Sequence, residues 1–226
     1  RSGKKSKPKM DLFIVGDVHG CLNTFIKLLE KWNPREEILI QLGDLVDRGN
    51  HSPAVLGLAF ELEQNFRAET VFLKGNHELM MQEYLSDPVA GKNWLNNGGS
   101  QTLFQFDQAG VDPDHYSNWI LNLPLYWENE HQFISHAGVS GFAPLDDPRH
   151  PDGLLWNRKP LRDIGRLQVI GHTPRWNGEP QFFPESKAWN IDTCAYGGIC
   201  LTALRLSITG QFKEIISVPT DERDVG

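Results

Sequence analysis

The sequence predicts an α/β fold with a parallel sheet, and three observations carry that expectation. Short apolar, β-branched runs at residues 12–15, 38–42 and 70–73 have the length and content of buried strands. A helical pattern follows each run. Each run also stops abruptly at a glycine followed by polar side chains. Strand–helix alternation of this kind builds βαβ units.

The first strand empties into Gly16-Asp17-Val18-His19-Gly20. Asp17 and His19 are two apart, so an extended strand end would aim both side chains the same way. Residues 23–32 carry Phe25, Leu28, Leu29 and Trp32 at helical spacing, a stripe expected to pack on the sheet. The second strand breaks at Gly43-Asp44-Leu45-Val46-Asp47-Arg48-Gly49, and Ser52-Pro53 opens a helix running to about Phe66. The third strand ends in Gly75-Asn76-His77-Glu78, again followed by a helix. Ligands of open α/β sheets gather beyond the carboxyl ends of the strands. Asp17, His19, Asp44, Asp47, Arg48, Asn76 and His77 are therefore expected to share one crevice.

Residues 87–123 read as a mostly helical insertion or lid that informs topology and little else, with Ser100 as the expected helix cap. Residues 124–127 and 132–135 suggest a hairpin leading into His136-Ala137-Gly138. Residues 146–162 form a loop rich in proline and charge that contains Trp156-Asn157-Arg158. A short strand at 168–170 stops at Gly171-His172-Thr173-Pro174, and residues 188–191, 199–206 and 212–218 read as antiparallel strands.

With 226 residues, the chain is read as a single domain over 10–226 behind a disordered basic lead, 1–9, with Met10 as a candidate native start. A net charge of -7 argues against broad electrostatic capture of nucleic acid or an anionic membrane. No apolar run approaches the ~20 residues of a membrane span. The three cysteines, Cys21, Cys194 and Cys200, have no CxxC spacing, so a disulfide framework is not expected and a cytoplasmic setting is.

Asp17, His19, Asp44, Asn76, His136 and His172 each follow a strand-like run. Three oxygen donors and three imidazoles exceed what one catalytic ion takes from a protein, and they suit two ions. Nitrogen and oxygen ligation without thiolate favours Mn, Fe or Zn, with Mn the first expectation. Such a pair clamps a phosphate and lowers the pKa of a water held between the ions. His77 neighbours Asn76 without being needed as a ligand, which suits a proton donor near neutral pH.

The glycine-flanked motifs at 16–20, 43–49 and 75–78, with His136-Ala137-Gly138 and Gly171-His172-Thr173, resemble in order the signatures of the PPP-type metallophosphoesterases. The short length and Trp156-Asn157-Arg158 look most like their bacterial and phage branch, the lambda-type serine/threonine protein phosphatases. The resemblance implies a β-sandwich of mixed sheets flanked by helices. It implies a first metal on Asp17, His19 and Asp44, and a second on Asp44, Asn76, His136 and His172, with Asp44 bridging. It makes His77 the general acid, Asp47 its orienting carboxylate, and Arg48 and Arg158 the phosphate clamps, with Arg162 and Arg175 as competitors for the Arg158 role. Tyr196 lies in a run, Asp192-Thr193-Cys194-Ala195-Tyr196, that departs from the eukaryotic Ser-Ala-Pro-Asn-Tyr pattern. Cys194 lacks the Cys-x5-Arg context of a covalent phosphatase.

The expected activity is hydrolysis of phosphoserine or phosphothreonine, with phosphotyrosine as a further substrate, in a phosphoprotein or phosphopeptide by a monomer, through attack of a metal-activated hydroxide. The alternative is hydrolysis of diadenosine tetraphosphate, with ADP as the expected product. Glu78 weighs toward the protein phosphatases, because aspartate is the more frequent residue there in the nucleotide hydrolases. A third possibility, a non-catalytic scaffold, would require a lost ligand or acid, and none is lost.

Overall fold

The computed structural model describes residues 10–226, so the basic lead at 1–9 lies outside the described residues. The first half follows the expected alternation: β1 (Asp11–Val15), α1 (Leu22–Leu29), β2 (Glu37–Gln41), α2 (Ser52–Asn65), β3 (Thr70–Phe72) and α3 (Asn76–Ser86). A helical stretch comes next, with α4 (Gly99–Ala109) and α5 (Ser117–Leu121) after 3-10 turns at Lys92–Asn97 and Pro113–Tyr116. Strands β4 (Tyr126–Glu128), β5 (Gln132–Ser135), β6 (Leu167–Ile170), β7 (Gln181–Phe183), β8 (Ala188–Asn190), β9 (Cys200–Leu206) and β10 (Phe212–Pro219) complete the fold.

Among the described residues ten strands form two mixed sheets, in the orders β10-β9-β1-β2-β3 and β4-β5-β6-β8-β7. The alternation of side chains along β1 explains why its run is apolar throughout. Leu12 and Ile14 face the second sheet and pack with Ile134, Val169 and Leu204. Phe13 and Val15 face the helices and pack with Phe25, Leu28 and Val55. The first sheet is thus covered on both faces, by helices outside and by the second sheet inside. Two mixed sheets flanked by helices are the architecture that the sequence resemblance implies.

Two local expectations need correction. Ser100 does not cap α4; Gly98, at φ 110°, is the cap residue, and Ser100 lies inside the helix with its hydroxyl on the Leu95 carbonyl. Residues 188–190 are not part of an antiparallel run with β9 and β10. Strand β8 lies in the second sheet, parallel to β6 and antiparallel to β7, while β9 and β10 close the first sheet. The apolar pattern is the same for either pairing, so it could not assign the sheet.

That correction has a functional side. Six strands have a parallel neighbour: β1, β2 and β3 in one sheet, β5, β6 and β8 in the other. The loops that follow their carboxyl ends carry Asp17 and His19, Asp44, Asn76, His136, His172 and Asp192.

Candidate active site

The loop after β1 does not stay extended. His19 adopts φ 44°, and its backbone amide bonds to the Asp44 carbonyl at 2.8 Å, so the first two motifs are stitched together by main chain. His19 Nδ1 lies 2.8 Å from the Val46 carbonyl, which makes it the protonated nitrogen and leaves the Nε2 lone pair 3.4 Å from Asp44 Oδ2. The Asp17 carboxylate accepts the His172 amide. His136 repeats the arrangement of His19: Nδ1 lies 2.9 Å from the Leu42 carbonyl, and Nε2 faces Asn76 Oδ1 at 3.0 Å, His172 Nδ1 at 3.1 Å and Asp44 Oδ2 at 3.4 Å.

Four nitrogen and oxygen atoms capable of binding a metal therefore converge, Asn76 Oδ1, His172 Nδ1 and Asp44 Oδ2 all lying within 3.4 Å of His136 Nε2. A proton on an imidazole or a metal ion can sit among them, and the donor set is one that a divalent transition metal takes. His172 Nε2 is buried with no partner, consistent with an imidazole whose other nitrogen is the functional one. Burial opposes a charge on His136, but the Asp44 and Asp17 carboxylates outweigh it and raise His136 to about 10, so the centre of the site attracts positive charge. Burial, then the neighbouring Asp192 charge, holds the Asp17 carboxyl well above the usual carboxylate range. Burial lowers His19 to about 3, and burial also lowers His172. Burial opposes ionisation of Asp44, but His136, His77 and His19 around it outweigh that and keep it well below its ordinary value. The clusters Asp44–His136–His172 and His19–Asp44–His77 are the groups among the described residues able to hold an ion.

His77 stands apart from the ligand-like residues. Its Nδ1 lies 2.6 Å from Asp47 Oδ2, while Nε2 lies 3.4 Å from the Arg48 guanidinium and 4.0 Å from Asp44. Burial alone would lower its pKa. The charge of Asp44 and the hydrogen bond and charge of Asp47 outweigh it and raise the pKa above the ordinary histidine value. Asp47 is itself fully buried and is gripped by Trp94 Nε1 at 2.8 Å and Thr102 Oγ1 at 2.5 Å. Both come from the 87–123 stretch, which does more than set topology.

Glu78 does not face the cavity. Its carboxylate is buried and accepts the backbone amides of Gly75, Asp44 and Leu45 at 2.7–2.9 Å. Burial, then the Asp44 charge, raises its pKa. It braces two motif loops and cannot select a substrate. Gly75 must be glycine, since a Cβ there would lie 2.1 Å from Asp44 Oδ1.

All of these loops surround a cavity of about 250 Å³ whose wall includes Arg48, His77, Trp156, Arg158, Asp192 and Tyr196. Of the three competing arginines, Arg158 lines it. Arg175 lines a neighbouring cavity, and Arg162 lies over the Phe142 ring at 5.4 Å. Arg48 lies 4.6 Å above the Tyr196 ring, which places Tyr196 at the mouth. Asp192 was missed in the sequence. It is a buried carboxylate, pushed up to about 6 chiefly by burial, and it lies in the wall. His51, His115, His131 and His150 do not line this wall.

A family profile described as calcineurin-like phosphoesterase matches residues 10–201. The chain belongs to this family. Members use a dinuclear metal centre, in keeping with the donor set above. Among curated proteins, it is similar to bis(5'-nucleosyl)-tetraphosphatase PrpE [asymmetrical] of Anoxybacillus flavithermus, 29% identical over 243 residues and covering 92% of this chain and 93% of the relative. The protein of the same name from Bacillus thuringiensis is 28% identical at the same coverage. A solved structure provisionally described as a diadenosine tetraphosphatase superposes with TM-score 0.68 at 22% identity, covering 95% of each chain. A Saccharomyces cerevisiae protein serine/threonine phosphatase gives TM-score 0.65 at 19% identity, over 96% of this chain and 82% of that one. Both likenesses are of fold. No helix among the described residues is long and apolar enough to cross a membrane.

Proposed function

We propose that this chain hydrolyses dinucleoside tetraphosphates asymmetrically, releasing a nucleoside monophosphate and a nucleoside triphosphate. The observation that carries this is the similarity, over nine-tenths of both chains, to relatives named for that reaction. The sequence favoured a protein phosphatase through Glu78, but a carboxylate spent on three backbone amides carries no such preference. The expectation of ADP, the symmetrical product, gives way to unequal products for the same reason as the activity.

In this reading Asp17, His19 and Asp44 hold one divalent ion, and Asp44, Asn76, His136 and His172 hold a second. When bound, the ions supply Lewis acidity at the phosphoryl oxygens and lower the pKa of an attacking water. Arg48 and Arg158 offer planar guanidiniums to the same phosphate, where bidentate contacts fix its orientation. His77, held at Nδ1 by Asp47, presents Nε2 to the cavity and gives its proton to the leaving phosphate oxygen. The raised His77 pKa favours the protonated form this requires. Manganese, a cytoplasmic setting and a monomeric state are part of the same proposal.

The test is metal removal, readdition of Mn, and phosphorus NMR on a mixture of diadenosine tetraphosphate and a phosphoserine peptide. AMP and ATP should appear together and first. Orthophosphate from the peptide ahead of any nucleotide would return the chain to the protein phosphatases. ADP as the first product would keep the dinucleotide and overturn the asymmetry.

A further inference from the structure

Asymmetrical cleavage breaks the bridge between the α- and β-phosphates. One nucleoside is then attached directly to a phosphate at the cleaved bond, so its base must lie at the rim of the phosphate cavity. Trp156, its indole nitrogen bonded to the Pro148 carbonyl, and Tyr196 line the cavity, and a third aromatic, more exposed, stands beyond Tyr196. Trp176, in the loop between β6 and β7, is 64% exposed. Large exposed aromatic surfaces beside a pocket mark recognition sites more often than isolated exposed side chains do.

The indole is held in place despite its exposure. Its loop is pinned by the Arg175 amide on the Asp192 carbonyl at 2.8 Å and closed by the Gly178 amide on the Arg175 carbonyl at 2.9 Å. The ring meets Tyr196 edge-on, with centroids 6.1 Å apart at 81°. It also lies over Gly197, where a Cβ would come within 3.0 Å of the indole Cζ3. Tyr196 is already spent. Arg48 covers it at 4.6 Å, and the His19 ring meets it at 5.0 Å. Trp176 therefore stands one aromatic layer out from the candidate metal ligands, beyond Tyr196 and two positions along the chain from Pro174, both of which line the cavity.

We infer that Trp176 is the base-stacking residue of this site, taking the purine of the nucleotide whose phosphate occupies the cavity, with Tyr196 as the post that holds it. The inference rests on the dinucleotide reading for its substrate, but not for its measurement. An indole face stacks any base and needs no polar readout, so the subsite selects for a nucleobase rather than for adenine. Arg48 links the two functions, since the same guanidinium that faces the phosphate site covers the supporting tyrosine.

The experiment uses the Mn-loaded protein, with Trp176→Ala and Trp176→Phe. AMP affinity is read by calorimetry and by the change in tryptophan emission, KM and kcat by turnover of diadenosine tetraphosphate, and inhibition by inorganic tripolyphosphate serves as the base-free probe. Loss of stacking should weaken AMP binding and raise KM about tenfold in the alanine variant, within the range for one base on one aromatic ring. The same substitution should leave kcat and the tripolyphosphate inhibition constant within about twofold, because the phosphate contacts stay in place. Phenylalanine should restore most of the affinity. If the dinucleotide is cleaved and neither KM nor AMP affinity moves, Trp176 is not the base platform and the proposed reaction stands. If the dinucleotide is not cleaved but AMP binding weakens in Trp176→Ala, the platform stands and the reaction falls. Equal weakening of AMP and tripolyphosphate would also overturn the inference, because it would make Trp176 a support for the phosphate site. So would failure of the wild type to bind AMP at all.

Discussion

His19, Asp44, Asp47, Arg48 and His172 all have positive φ, between 44° and 73°, out of seven non-glycine residues that do so among those described. Each such backbone costs on the order of 1–3 kcal/mol and persists only where its surroundings over-determine it. The strain turns side chains of consecutive motif residues inward, so that Asp44, Asp47 and Arg48 from one short loop serve three different places. The residue types and their glycines were readable because they are contiguous in the chain. The left-handed turns were not, since nothing in Asp17-Val18-His19 distinguishes an extended strand end from a turn. His77 carries the clearest prediction at this scale. It groups with His19 and Asp44 as a possible ligand, yet its Nδ1 is committed to Asp47. If the proposed dinucleotide hydrolysis holds, with His77 as its general acid, His77→Asn should lower kcat on diadenosine tetraphosphate by about 10²-fold, the low end for general acid catalysis, because a departing phosphate is a weaker base than an alkoxide. Metal content by elemental analysis should not change. Loss of a metal ion in this variant would make His77 a ligand.

At the scale of elements, the 87–123 stretch is the part whose purpose the sequence concealed. Trp94 and Thr102 are fully buried, and both close on Asp47, 47 and 55 positions upstream in the chain. A hydroxyl inside an apolar helical pattern reads as a tolerated core polar group unless its distant partner is known. Thr102→Val keeps the shape and removes the donor to a buried carboxylate, which costs about 2 kcal/mol. For a chain of this size that is a fall in Tm of about 4–8 °C. With one of its two anchors gone, Asp47 orients His77 less well, so kcat should drop about tenfold while KM stays put. Circular dichroism melts and steady-state kinetics read both effects, and an unchanged kcat would confine Thr102 to a structural role. Strand β8 illustrates the same limit. Its alternation was visible, but its partner was not. Without knowing that it runs parallel to β6, the carboxylate at its end, Asp192, could not be placed beside Asp17.

For the whole molecule, the two-sheet core was legible wherever a strand is apolar on both faces, as in β1 and β2, because such runs must be covered twice. What closes the structure was not. Asp224, two residues before the last of this sequence, is fully buried, and its carboxylate takes the Asn23 and Thr24 amides at 3.0 and 2.7 Å, the Thr24 hydroxyl at 2.6 Å and the Asn23 side chain at 2.8 Å. These are free amides of the first turn of α1, whose own cap position, Cys21, supplies no side-chain acceptor. A carboxylate some 200 residues away thus does the work of a local cap, placed where the helix dipole favours negative charge. The Asp224 carbonyl also accepts the Asn50 amide at 2.9 Å, so the tail ties α1 to the loop that carries Asp47 and Arg48. Asp224→Ala leaves the buried Thr24 amide and hydroxyl and the part-buried Asn23 amide without an acceptor and should cost about 3 kcal/mol. That corresponds to a Tm lower by about 6–12 °C for a domain of this length. Asp224→Asn keeps acceptor oxygen at the same place and loses the charge, so its melt should fall between the alanine variant and the wild type. At temperatures well below the transition both variants should retain kcat, because the tail touches the backbone of the site loop and none of its functional atoms. A melt that does not move would mean that water serves the α1 amides as well as the carboxylate does, and that the tail lies on the fold without holding it together.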